Sequence, residues 1–157
     1  MKNRSKIFLL IALTFSIFTS NLFAQQWSSE QKEVWAGIEK YWEVSSKGDV
    51  QGFMSYFDES YIGWSYQTVV PQNKSNTSKW ITNEFKNNTT VLYTLTPVTI
   101  WVKGDFAFAN YFYSQIEKNN QIGKEEQTAG KWTDILMKKD GKWFLIGDHG
   151  GRTSKTQ

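Results

Sequence analysis

Apolar and polar positions change period along this chain, from spacings of three and four in its first half to alternation in its second. From Ser29 onward Val34, Trp35, Ile38, Tyr41 and Trp42 recur at spacings of three and four. That pattern predicts an amphipathic helix, capped by Ser28 or Ser29 and stopping near Gly48. Asp49 then stands as the N-cap of a shorter helix carrying Val50, Phe53, Met54 and Phe57, and a short strand is expected over residues 61–65. Residues 66–77 read as a loop, with Pro71 and a run of Asn, Lys, Ser and Thr. Ser75 or Thr77 opens a third helix with Trp80, Ile81 and Phe85 on one side, and Asn87 and Asn88 end it. After Thr89 the chain reads as strands, over residues 91–102, 106–117, 124–138 and 143 to about 149. Pro97 marks an edge or a bulge. Asp140-Gly141 is the strongest hairpin signal in the chain, and the polar tail after it, residues 150–157, is expected to fray. Three helices followed by a four-stranded meander make an α+β layout, with the helices packed on one face of a curved antiparallel sheet.

The first residues follow another pattern. Lys2, Arg4 and Lys6 precede an apolar run over residues 7–18, broken only by Thr14 and Ser16, and polar residues lead to a small residue at Ala24. This reads as a secretory signal peptide over residues 1–24, cleaved after Ala24 to leave residues 25–157 as one domain. The apolar run falls short of the roughly 18–20 residues that span a bilayer. The domain is therefore expected to be secreted or periplasmic, with no membrane partner after cleavage. Those three cations carry all of the chain's net charge of +3. The remaining domain is neutral, without the basic footprint of a nucleic-acid binder.

Composition narrows the chemistry further. The chain has no cysteine and one histidine, so disulfides and thiolate zinc sites are excluded and no metal site is expected. Neither a phosphate-cradling glycine loop nor a GxSxG elbow is present. With export to a compartment poor in ATP and nicotinamides, no cofactor is expected. Eight Trp and an aromatic content of 17% are compatible with a ring-lined pocket.

Several ordered motifs carry a resemblance. They are Tyr41-Trp42, Gly48-Asp49 with Phe53 and Phe57, Lys103-Gly104-Asp105-Phe106-Ala107, Gly130-Lys131-Trp132-Thr133, and the ending from Asp140-Gly141-Lys142-Trp143 to Gly147-Asp148-His149. Together they resemble the SnoaL-like branch of the nuclear transport factor 2-like superfamily. The resemblance implies a cone-shaped fold in which three N-terminal helices pack on a strongly curved antiparallel sheet around a pocket, and it implies frequent homodimers. It does not imply one function, because related domains include isomerases, dehydratases, cyclases and non-catalytic binding modules.

A two-residue loop at Asp140-Gly141 sets a register by counting outward. Met137 then faces Phe144, Asp134 faces Gly147 and Trp132 faces His149. Trp132, Asp134, Leu136, Trp143, Leu145 and His149 share one face on this count. Asp134 and His149 become diagonal neighbours, a carboxylate and an imidazole suited to acid–base work. Tyr111 and Tyr113, on one face of the adjoining strand, are placed to donate a hydrogen bond to a carbonyl or enolate, with Trp42, Trp64, Trp80 and Trp132 as walls. The plainer alternative makes His149 a structural residue and pairs Asp134 with a surface lysine. Phe106, Phe108 and Phe112 alternate on the opposite face from the two tyrosines, which suggests a dimer interface.

Three functions are thus open. The first is an exported module binding a small apolar or aromatic ligand in an aromatic-lined pocket. The second is a cofactor-free isomerase, dehydratase or cyclase using His149 and Asp134, and the third a dimeric interaction domain without a ligand.

Overall fold

The computed structural model describes residues 26–156; the expected signal peptide and its cut after Ala24 lie outside the described residues. Helix α1 (Ser29–Ser46) opens with a capping box. Ser28 Oγ accepts from the Gln31 amide at 3.3 Å and the Gln31 side chain accepts from the Ser28 amide at 2.9 Å. Its apolar stripe buries Val34, Ile38 and Tyr41. Asp49 caps α2 (Val50–Met54) by accepting from the Gly52 amide at 2.8 Å. Helix α3 (Lys74–Asn87) starts slightly earlier than expected, because Asn73 and not Ser75 or Thr77 supplies the capping oxygen, at 3.0 Å from the Asn76 amide. No helix among the described residues is long and apolar enough to cross a membrane.

The sheet comprises β1 (Phe57–Ser65), β2 (Gln72–Asn73), β3 (Asn88–Lys103), β4 (Phe106–Asn119), β5 (Glu125–Lys139) and β6 (Lys142–Thr156), in the order β2-β1-β6-β5-β4-β3. The four long strands form the expected meander. Asp140 (φ 50°) and Gly141 (φ 76°) both sit in the left-handed region, as a two-residue hairpin loop requires. Two expectations are corrected. The sheet is mixed, not purely antiparallel, because β1 pairs parallel with β6 and so covers an edge the meander would leave open. Nor does the tail fray. Residues 150–156 continue β6 against residues 127–132 of β5, since backbone pairing asks nothing of side-chain polarity.

Register shifts bend the sheet. Ile135 pairs with Gly147 and Leu136 with Leu145, which leaves Ile146 as an extra residue; a second shift leaves Thr153 extra. On the edge strand β3 a shift beside Pro97 leaves Val98 extra. Each bulge sharpens the local twist, and the helices lie in the resulting hollow. Alternate residues Ala107, Ala109, Tyr111 and Tyr113 of β4 are buried on that concave face, with Leu136 and Leu145 from the neighbouring strands. The two alanines let α1 lie close to the sheet.

Candidate functional site

Between the helices and the far part of the concave face is a cavity of about 740 Å³, within the usual size range of small-molecule sites. Its deep end is polar. Tyr41 from α1 and Tyr111 from β4 bring their hydroxyls to 2.7 Å from each other. The Tyr41 hydroxyl donates to Oδ2 of Asp134 on β5, and Trp42 Nε1 donates to the Tyr111 oxygen at 3.1 Å. Directly across the β5–β6 pairing from Asp134 is Asp148, which accepts from the Tyr61 hydroxyl at 2.8 Å. Gly63 on β1 makes room for this pair, because a Cβ there would overlap the Tyr61 hydroxyl and the Asp148 carboxylate.

Burial sets the protonation of these acids. Asp134 is 2% exposed, and burial, reinforced by the nearby Asp148 charge, pushes its carboxyl up to about 8 against the pull of the Tyr41 and Tyr111 hydroxyls. Burial also raises Asp148, to about 6, with the Tyr61 hydroxyl opposing. Near pH 7 Asp134 is thus mostly a neutral acid and Asp148 mostly a carboxylate. Burial, and after it the charge of Asp134, hold Tyr41 and Tyr111 well above the usual phenol range, so both remain donors. The walls above this end are apolar. Phe53, Phe57, Leu145 and Ile81 line one side, and Trp42 lies 5.3 Å from the Tyr113 ring on the other.

The structure separates His149 from Asp134. Counting from the hairpin holds as far as Leu136 and Leu145, but the extra Ile146 shifts the pairing by one, so that Asp134 faces Asp148 and Trp132 faces Gly150. Every side chain beyond the bulge changes face. His149 therefore stands exposed on the convex side, with its ring 6.3 Å from Trp64 and 5.2 Å from Tyr66. The expected acid–base pair is not formed, and Trp64, paired with His149 in register, lies with it outside the cavity. Trp42, Trp80, Trp132, Tyr111, Tyr113 and Asp134 do line the cavity.

Sequence reasoning missed Asp148, Tyr41, Tyr61 and Gly63. Tyr41 read as part of the helix's apolar stripe, and the counted alternation leaves Asp148 on the face opposite Asp134. One signal was available: Gly147 and the Gly150-Gly151 pair within a β-branched and aromatic run mark an irregular strand whose alternation cannot be carried through. Among the described residues no group of three His, Cys, Asp or Glu side chains gathers to hold a metal ion.

No protein-family model and no curated protein matches the sequence. Solved structures do match in shape. A ketosteroid isomerase-like protein from Erwinia carotovora atroseptica superimposes with a TM-score of 0.71 at 14% identity, over 82% of this chain and 99% of that one. A protein from Streptomyces avermitilis, assigned as a proposed dehydratase of the NTF2-like family, gives 0.70 at 14% identity over 78% and 96%. An NTF-2 like protein of unknown function from Shewanella oneidensis gives 0.61 at 15% identity over 78% and 98%. With three helices in the hollow of a bent sheet and a cavity between them, the chain has the nuclear transport factor 2-like fold.

Proposed function

We propose that this protein is an exported, cofactor-free catalyst of proton transfer on a small apolar or aromatic carbonyl compound, an isomerase or dehydratase in type. One observation carries the reading. Two carboxyl groups share the deep end of an apolar cavity, and their surroundings push them to opposite sides of neutral pH. A pair of titratable groups driven apart in this way divides the roles of acid and base. Asp148, as carboxylate, removes a proton from the carbon beside the carbonyl. The developing enolate oxygen accepts a hydrogen bond from the Asp134–Tyr41–Tyr111 cluster, whose neutral acid and undissociated phenols act as donors. Return of the proton to another carbon gives an isomer, and its departure with a hydroxyl group gives a dehydrated product. The isomerase-like and dehydratase names among the structural neighbours support the same class.

The test is hydrogen–deuterium exchange at the activated carbon of 2-tetralone, followed by NMR at pH 7. The protein is expected to accelerate exchange, and Asp148→Asn to lower that acceleration by about 100-fold or more. Binding of 2-tetralone with no acceleration would leave a ligand-binding module instead.

A homodimer goes with this reading. Phe106, Phe112, Trp101 and Ile135 are exposed on the convex face, and Trp101 stacks on Phe108 with ring centres 5.4 Å apart. These rings lie on the convex face on either side of the hydrogen-bonded Asn110 and Thr133; exposed rings on a sheet whose other side is already packed call for a cover, and a second copy meeting them face to face supplies one.

A further inference from the structure

The cavity is polar at both ends. From Tyr111 toward the mouth, β4 presents Tyr113, Gln115 and Glu117 to the cavity, and from Asp134 β5 presents Trp132 and Thr128. Thr128 lies directly across from Gln115. It is 5% exposed, and its hydroxyl has no hydrogen-bond partner among the described residues. Trp27 Nε1 and Trp143 Nε1 are also buried without a partner among the described residues, but of the three only Thr128 lines the cavity, where such a hydroxyl marks a place for a ligand group. Rotation about χ1 between staggered wells turns it toward a group entering the cavity. Gln115 hydrogen-bonds to Glu117; burial raises the Glu117 carboxyl, and Glu84 of α3 adds to the rise. Glu126 adds to this rise and Arg152 opposes it; Arg152 also lines the cavity but is exposed to water, and three carboxyl groups, Glu84, Glu117 and Glu126, act there against its one cation. This end therefore favours a neutral or cationic hydrogen-bond donor and disfavours an anion.

Thr128 and Asp134 are six positions apart on β5, about 20 Å along an extended strand and less along a bent one. The intervening walls are rings, Trp42, Tyr113 and Trp132. A ligand reaching both ends is thus long, flat and apolar in its middle.

We propose that the mouth of the cavity is a second binding subsite, formed by Glu117, Gln115 and Thr128, that takes a hydroxyl or amino group at the far end of an elongated, flat substrate. The proposal deepens the reading of the deep end as a carbonyl site, on which the ligand's orientation rests. The Glu117 carboxyl accepts from the ligand's O–H or N–H, and the Thr128 hydroxyl donates to the ligand's oxygen or nitrogen.

Binding of 4-acetylbiphenyl and its 4′-hydroxy, 4′-amino and 4′-carboxy derivatives, followed by tryptophan quenching and calorimetry at pH 7, tests it. The protein should bind the hydroxy and amino compounds about tenfold more tightly than the parent, and the carboxy compound more weakly. Thr128→Val and Glu117→Leu should each reduce that preference to about threefold or less, with parent affinity held within about twofold. Glu117→Gln, isosteric with the native residue, should lower it in the same direction if the leucine variant fails to fold. Equal affinity for parent and hydroxy compound would overturn the subsite. So would tighter binding of the carboxy compound, a preference that survives both substitutions, or no binding of any probe. Binding needs no turnover, so a preference found without 2-tetralone exchange keeps the subsite and removes the catalytic role, and the converse result does the reverse.

Discussion

Asp134→Asn should make the stability of this protein less sensitive to pH. The carboxyl has its ordinary value of 3.8 in the unfolded chain and about 8 in the fold. Between these values the unfolded chain has released the proton and the folded one still holds it. Stability therefore falls as pH rises through this window and levels off above about 8. At about 1.4 kcal/mol per pH unit, the loss attached to Asp134 between pH 5 and pH 7 is about 3 kcal/mol. Asn keeps the shape and still accepts from Tyr41, but it cannot ionise. The variant should therefore gain about 3 kcal/mol on the native protein over the same interval. Asp148 adds its own fall between 3.8 and about 6, which is common to both proteins and cancels in the difference. Urea unfolding followed by tryptophan emission at pH 5, 6, 7 and 8 measures the gap directly. A gap that stays constant over this range would refute the assignment of Asp134 as a neutral acid. A gap that closes would mean that the fold prefers the carboxylate.

Two further outcomes follow from the placement of residues on the sheet. His149→Ala should leave 2-tetralone exchange and its pH profile unchanged, since His149 stands on the convex face beside Trp64 and Tyr66; a fall in exchange measured by NMR would bring the histidine back into the chemistry. Phe112→Lys replaces an exposed ring of the convex face by a charge beside Lys131 and should convert a dimer to a monomer in light scattering after size exclusion, whereas a native protein that is already monomeric at micromolar concentration would remove the dimer.

Much of this fold is legible without coordinates, for a local reason. The Ser28–Gln31 capping box, the Val34–Ile38–Tyr41 stripe, Asp49 as a cap, the Asp140-Gly141 turn and the irregularity at Pro97 all depend on residues a few positions apart. Short-range hydrogen bonding and period are enough to specify them. The pairing of β1 with β6 is not local, because it joins residues 85 or more positions apart to cover an edge created by strands between them. The candidate site depends on a still smaller event. One extra residue, Ile146, is accommodated in β6, and with it Asp148 turns inward and His149 outward. The sequence by itself determined the helices, the meander and a cysteine-free aromatic domain. Which acid shares the cavity with Asp134 was decided only by the tertiary structure, because the period of a strand is two and a single bulge reverses every face beyond it.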